Sequence, residues 1–206
     1  MPFDTRTSRI YLASRSPRRR ELLTQIGVPF DTLAFRGLQR EEGIDETPFD
    51  DEAPAVYVER MARTKAEYGW QTVSLRRLIP QPVLAADTVI EFDGEIIGKP
   101  TDPVDAQAIL KRLSGQTHRV LTAVAVIFKG DIESTLLTSE VRFCELDDAA
   151  IRRYIASGEP MDKAGAYAIQ GYASLFVEHL SGSYSGVMGL PLYETGQLLR
   201  RFGFAL

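Results

Sequence analysis

The chain has little of several things that would have narrowed its reading at once. It carries a single cysteine, Cys144, so no internal disulfide can frame the fold. Its two histidines, His118 and His179, have no second histidine or cysteine at ligand spacing. That removes support for a zinc site or a Ser-His-Asp triad. No apolar run approaches the ~20 residues needed to span a bilayer, and no charged segment followed by an apolar one opens the chain. Cytoplasm is therefore the expected location, with no membrane partner. Positive charge is scarce as well: 24 Lys and Arg face 28 Asp and Glu, for a net charge of -4. Nucleic acid asks for a broad basic face, so it is not an expected partner. Neither the P-loop pattern nor a GxGxxG after a strand occurs.

What remains is an ordinary globular composition, 44% hydrophobic and 25% charged in 206 residues, enough for one large domain or two small ones. RIYLAS, residues 9 to 14, reads as a covered strand. Ser16 sits where an N-cap belongs, Pro17 suits the first helical position, Leu22, Leu23 and Ile26 recur at helical spacing, and Gly27 ends the pattern. VPFDTLAF (28 to 35) reads as strand and the acidic stretch 36 to 54 as loop. A helix is expected over 55 to 69, a buried strand over 83 to 92, and a hairpin at Asp93-Gly94. Further expectations are a helix over 103 to 113, long β-rich runs from 118 and 133 joined around Lys129-Gly130-Asp131, and a helix over 147 to 158. A β-like segment over 174 to 183 and a final helix from about Pro191 to Phe202 complete the pass. Strands outnumber helices in mixed order, which indicates α/β or α+β around a partly antiparallel sheet.

Against the acidic balance, LASRSPRRREL (12 to 22) concentrates Arg15, Arg18, Arg19 and Arg20 at one helix start. Exposed cations there oppose the helix dipole at a cost of about 0.3 to 1 kcal/mol each, a placement most easily tolerated when an anion sits at the turn. The plain alternative is a solvated basic face, and Arg20 fits it. Asp87 lies inside the apolar run VLAADTVIEF, beside Thr88, where a carboxylate must be paired, protonated or metal-bound, unless it merely ends the strand and caps a turn. Lys65 and Lys99 flank apolar elements from which they could reach a cleft, although a lone lysine is usually solvated. In DKAGAYAIQG (162 to 171), Gln170 stands in an apolar, glycine-framed setting. A buried amide there offers donors and an acceptor together, as reading the edge of a base requires; the alternative is a glutamine closing its own loop. Cys144 reads as a small core residue.

In series, LASRSPRRREL, YVERMARTKA, VLAADTVI, GEIIGKP, LSGQTHRVLTAVAV, SGEPMDKAGAYAIQG and GSYSGVMGLPLYET closely resemble the Maf family of nucleoside-triphosphate pyrophosphatases over nearly the whole chain. The resemblance implies hydrolysis of a nucleoside triphosphate to monophosphate and pyrophosphate, assisted by Mg²⁺ or Mn²⁺, usually in a homodimer. It implies one elongated α/β domain of the type shared with Ham1 ITPases, a mixed sheet flanked by helices, with two lobes and a nucleotide cleft between them. By motif match Asp87 is the proton acceptor, Arg18, Arg19, Lys65 and Lys99 fall on phosphate-binding positions, and Ser14 and Ser16 line the same turn. The family's upstream acidic position best matches Glu46, which would hold the metal with Asp87; the stretch before it is longer than usual, so Glu41-Glu42 competes. Arg18, Thr88 and Gln170 occupy the positions that separate a dTTP/UTP branch from one resembling 7-methyl-GTP hydrolases. An amide can donate to a pyrimidine O4 and accept from N3–H, which a carboxylate cannot do. A nucleotide-sensing regulator of cell division acting through a protein partner is the alternative from another class; it would keep the arginines but could dispense with Asp87.

Overall fold

The computed structural model describes residues 9–33 and 44–206. Along the chain run β1 (Ile10–Leu12), α1 (Pro17–Gln25), β2 (Phe30–Thr32), α2 (Pro54–Leu75), β3 (Val83–Phe92), β4 (Glu95–Ile97) and α3 (Pro103–Leu113). They are followed by β5 (Thr117–Phe128), β6 (Asp131–Phe143), α4 (Asp148–Ala156), β7 (Val177–Ser181), α5 (Tyr184–Met188) and α6 (Leu192–Arg201). The strands form one mixed sheet in the order β2-β1-β3-β5-β6-β7, with β4 pairing β3. The α/β class with a mixed sheet flanked by helices is therefore as expected. β1 is parallel to both β2 and β3, whereas β4 on β3 and β7 on β6 are antiparallel.

Local chemistry explains most element ends. The Ser16 hydroxyl accepts from the Arg19 N–H, with Pro17 at the start of α1. Asp102 accepts from the N–H groups of Val104 and Asp105, and Asp147 from that of Ala150, so α3 and α4 both begin at carboxylate caps. Asp93 and Gly94 carry φ of 55° and 81°, the left-handed pair that a tight two-residue hairpin between β3 and β4 demands.

Two local expectations change, and one short helix appears that the sequence reading did not name. α2 continues past Gly69 to Leu75, because Gly69 is not a stop but a buried point of close packing: a Cβ there would lie 2.7 Å from Val83 Cγ1 and 3.1 Å from Ala13 Cβ. The β-like run from 174 becomes strand only at Val177, since Tyr172–Leu175 turns as a 3₁₀ helix. The glycine-rich segment from 182 contains the short α5, which its glycines concealed. Of the expected strand 28 to 35, its end lies outside the described residues.

The contacts divide the chain into two compact units. The first takes the described residues up to Asp87, with Thr122–Leu136 and Gly189–Leu206; the second takes Thr88–Leu121 and Leu137–Met188. In the first, β1 and β3 are buried residue by residue from Ile10 to Leu12 and Val83 to Ala86, and α2 lays Val58, Met61, Ala62 and Ala66 inward. In the second, Ile90, Leu110, Leu113, Phe143, Ile151, Tyr154, Tyr167 and Phe176 belong to one core. His118 is part of that core: its Nε2 lies 2.9 Å from the Tyr167 hydroxyl and its ring meets Phe143 edge-on at 5.0 Å. Burial pushes its pKa down from 6.5 to about 4, so the ring is neutral at ordinary pH. Cys144 is only partly buried and is a free thiol.

Candidate active site

Two groups of predicted residues come together in the first unit. The first is the turn that follows β1. The Ala13 N–H donates to Leu84 O at 2.8 Å, keeping the chain beside β3 as it leaves the strand. Ser14 is buried, and its Oγ accepts from the Ser16 N–H at 3.2 Å and from Arg19 Nη1 at 3.2 Å. Arg19 Nε also donates to Gly189 O at 2.8 Å, so this arginine braces the turn against the segment before α6. That bracing was not visible in the sequence. Arg18 is half-buried, and Arg15 and Arg20 are exposed. No acidic residue occupies the first turn of α1 to offset these cations. The turn thus gathers arginine charge and helix N–H groups at one place, which suits an anion.

The second group is an ion cluster around a buried lysine, with Asp87 half-buried and Glu46 exposed. Lys65 lies on the inner face of α2, where Met61, Ala62 and Ala66 are also buried, and only 8% of its surface is exposed. Its Nζ stands 2.8 Å from Asp87 Oδ1 and 2.7 Å from Glu46 Oε1. Two carboxylates therefore converge on one cation. Asp87 is paired rather than a strand-end cap, and Lys65 is a cluster member rather than a solvated side chain. The rival pair Glu41-Glu42 lies outside the described residues.

Glu46 sits in a loop, and α2 holds that loop. The Tyr57 hydroxyl donates to Glu46 O at 2.8 Å. Burial first, then the negative charges of Asp87 and Glu46, push the Tyr57 pKa up to about 12, so it remains a donor. Arg60 grips Glu52 with Nε and Nη2 at 2.7 and 2.6 Å, donates to Thr47 O at 3.2 Å, and covers the Phe49 ring at 4.0 Å. Sequence reading had not singled out Tyr57, Arg60 or Glu52. The available signal was the three-residue spacing of Tyr57 and Arg60, which puts both on one side of a helix.

The two groups lie on the adjacent strands β1 and β3. Leu12 pairs with Leu84 in parallel, and both the Ser14 turn and Asp87 lie just beyond that pair in chain direction. Open α/β sheets present ligands at the carboxyl ends of parallel strands.

In the second unit, Thr88 is half-buried next to Asp87, and Lys99 is exposed just after β4. The neighbouring Gly98 O accepts from the Gly165 N–H at 2.9 Å. Gln170 is exposed, which corrects the expectation of a buried amide. The reason is a turn: the Gly171 N–H donates to Ala168 O at 2.9 Å, so Ala168 and Ile169 face inward and Gln170 lies on the outside of the bend.

Among the described residues no cluster of three or more His, Cys, Asp or Glu could enclose a metal ion. Asp87 and Glu46 nonetheless offer hard carboxylate oxygens to one point, presently facing an ammonium. A divalent cation that takes one or two carboxylates and completes its shell with phosphate oxygens and water fits such a donor set.

The chain matches the family described as Maf-like protein over residues 9–202. It is 63% identical over 197 residues to the "dTTP/UTP pyrophosphatase" of Dechloromonas aromatica (strain RCB), covering 95% of this chain and 98% of that protein. To the "dTTP/UTP pyrophosphatase" of Aromatoleum aromaticum it is 60% identical over 201 residues, covering 97% and 98%. Among solved structures, the Staphylococcus aureus Ham1 protein is similar at a TM-score of 0.48 and 12% identity, over 95% of this chain and 97% of that one. With a family match spanning both groups of site residues and relatives this similar over nearly their whole length, the chain belongs to the Maf-like protein family.

Proposed function

We propose that this protein hydrolyses pyrimidine nucleoside triphosphates, dTTP and UTP above all, to the nucleoside monophosphate and pyrophosphate. The observation that carries the reading is the convergence of Asp87 and Glu46 on Lys65 beside the arginine-rich turn. Water attacks the α-phosphorus, a new P–O bond forms, and the bond from that phosphorus to the β-phosphate bridging oxygen breaks. Pyrophosphate leaves with the bonding pair. Asp87 is the group that takes the proton from the attacking water, because its carboxylate is held 2.8 Å from the Lys65 ammonium, on the strand next to the arginine-rich turn. Asp87 and Glu46 would also hold Mg²⁺ or Mn²⁺, which when bound withdraws charge from the phosphate oxygens.

Arg18, Arg19, Lys65 and Lys99 bind the phosphate chain and stabilise the charge that builds on the leaving pyrophosphate. Ser14 and Ser16 shape the turn that presents N–H groups to it. Gln170, with Thr88 and Arg18, selects the base. The exposure of Gln170 leaves its amide available to a ligand edge. A regulator that only senses nucleotide has no chemical need for a carboxylate pair closed on a buried lysine, so the enzymatic reading is favoured.

The test is pyrophosphate release from dTTP, UTP, CTP, GTP and 7-methyl-GTP, with Mg²⁺, with Mn²⁺ and with EDTA. Metal-dependent turnover confined to dTTP and UTP is expected. Asp87→Asn should abolish it while nucleotide binding persists. Binding of nucleotide by the native protein without any release of pyrophosphate, or near-native turnover in Asp87→Asn, would overturn the proposal.

A further inference from the structure

Gln170 sits on the outside of a bend, and an exposed side chain on a free loop would select a base poorly. The backbone on both sides of it, however, is tied to a single carboxylate. Glu159 Oε2 accepts from the Tyr172 N–H at 3.1 Å, and Oε1 accepts from the Ala173 N–H at 3.5 Å. Oε1 also accepts from the Tyr154 hydroxyl at 2.9 Å, and that hydroxyl in turn accepts from the Ala168 N–H at 3.2 Å. The Gly171 N–H donates to Ala168 O at 2.9 Å, closing the bend itself. Ala168 before Gln170, and Tyr172 and Ala173 after it, are thus anchored through one tyrosine and one glutamate.

The fit leaves no slack. A Cβ at Gly171 would lie 2.4 Å from each Glu159 carboxylate oxygen, so a larger residue there would push the carboxylate away from the N–H groups it accepts from. Tyr154 is fully buried on α4, the Tyr172 ring stacks on it at 5.9 Å and 19°, and the Phe176 ring meets it edge-on at 5.1 Å. The anchor therefore rests on a rigid core group. Glu159 opens the 3₁₀ turn Glu159–Asp162, which the phosphate chemistry does not use. The three hydrogen bonds to its carboxylate come from an O–H and two N–H groups, a set that only an acceptor can meet.

We propose that Glu159 and Tyr154 are positioning residues for base choice: they fix the bend that carries Gln170 and so set the amide at the height where it reads a pyrimidine edge. The proposal rests on the assignment of base selection to Gln170. It adds that discrimination between uracil and cytosine depends on a carboxylate and a phenol that touch no nucleotide. UTP and CTP differ only at position 4 and at the adjoining N3 proton, the groups an amide can distinguish. A shift of the amide should therefore change the ratio of their turnover, whereas a loss of general stability should lower both alike.

The experiment measures kcat and KM for UTP and for CTP in the wild type and in Glu159→Gln, Tyr154→Phe, Gln170→Ala and the double variant Glu159→Gln/Gln170→Ala, with a melting curve of each. Glu159→Gln places an amide donor against backbone N–H donors, and Tyr154→Phe breaks the bridge to Ala168 while keeping the ring, so a soluble variant is available even if one fails to fold. Each single variant should lower the UTP-to-CTP ratio of kcat/KM about tenfold, chiefly through KM for UTP, and the double variant should lower it no further than Gln170→Ala alone. If Gln170→Ala lowers the ratio while Glu159→Gln and Tyr154→Phe reduce both rates equally, the two residues are merely structural and the proposal fails. If Gln170→Ala itself leaves the ratio at the wild-type value, the assignment of base selection to Gln170 fails, and this proposal with it.

Discussion

Replacing Gly69 by alanine sets two opposed effects against each other. In an exposed helix interior the change would stabilise by about 1 kcal/mol, since alanine is the better helix former. Here the new methyl would stand 2.7 Å from Val83 Cγ1, 3.1 Å from Ala13 Cβ and 3.5 Å from Leu33 Cδ1. Carbon atoms settle at about 3.5 to 4.0 Å, so roughly 1 Å must be found. Val83 is β-branched and fully buried, and the Ala13 Cβ cannot swing away, so the helix itself must lift. Overpacking of this kind costs about 1 to 3 kcal/mol, which outweighs the helical gain by about 1 kcal/mol. For a chain of this length that lowers Tm by about 2 to 4 °C.

The effect on turnover should be larger than on stability. Lys65 lies four residues earlier on the same buried face of α2, and its 2.8 Å contact with Asp87 stretches out of hydrogen-bond range if the helix rises. Thermal melting together with kcat at saturating dTTP is the assay. A Gly69→Ala protein that melts higher than the wild type with unchanged kcat would refute the reasoning, because the close approach of α2 to the strands would then be dispensable.

Two other perturbations follow. His118 has its pKa depressed to about 4 by burial, against 6.5 in the unfolded chain, so the fold favours its neutral form. Its contribution to stability is complete above pH 6.5, declines as the pH falls toward 4 and is constant below; about 2 kcal/mol should be gone by pH 5. Urea unfolding at pH 7 and pH 5 measures this, and His118→Gln should shrink the difference; a wild-type midpoint that does not move would count against a neutral core histidine. Arg60→Lys keeps the charge but loses the two-pronged grip on Glu52 and the bond to Thr47 that holds the Glu46 loop. The Mg²⁺ concentration for half-maximal turnover should rise about tenfold with little change in Tm, as partners behind a metal ligand usually show, and an unchanged metal requirement would remove Arg60 from that role.

Much of the fold was legible because its signals act over a few residues. Ser16-Pro17 marks the start of α1, Asp93-Gly94 makes the hairpin, and the apolar run 83 to 92 coincides with β3. Where the reading failed, a distant neighbour decided. Gly69 looks like a helix end until Val83 and Ala13 are seen pressing on it, and Gln170 looks buried until the bend from Ala168 to Gly171 turns it outward. The candidate site shows the same division. Motif resemblance named Asp87, Lys65 and Glu46 separately, but it could not say that one ammonium holds both carboxylates.

By itself, then, the sequence determined the residue types available for chemistry, the caps and turns, the periodicities and the family. Those depend on covalent neighbours and on side-chain chemistry that no fold alters. Only the tertiary structure decided that Arg19 braces Gly189 across 170 residues, that Lys65 meets Asp87 across 22, and that Glu159 anchors the bend bearing Gln170. Hydrogen bonds and ion pairs fall off over a few ångströms in space, and distance in space between such residues is set by packing rather than by position along the chain.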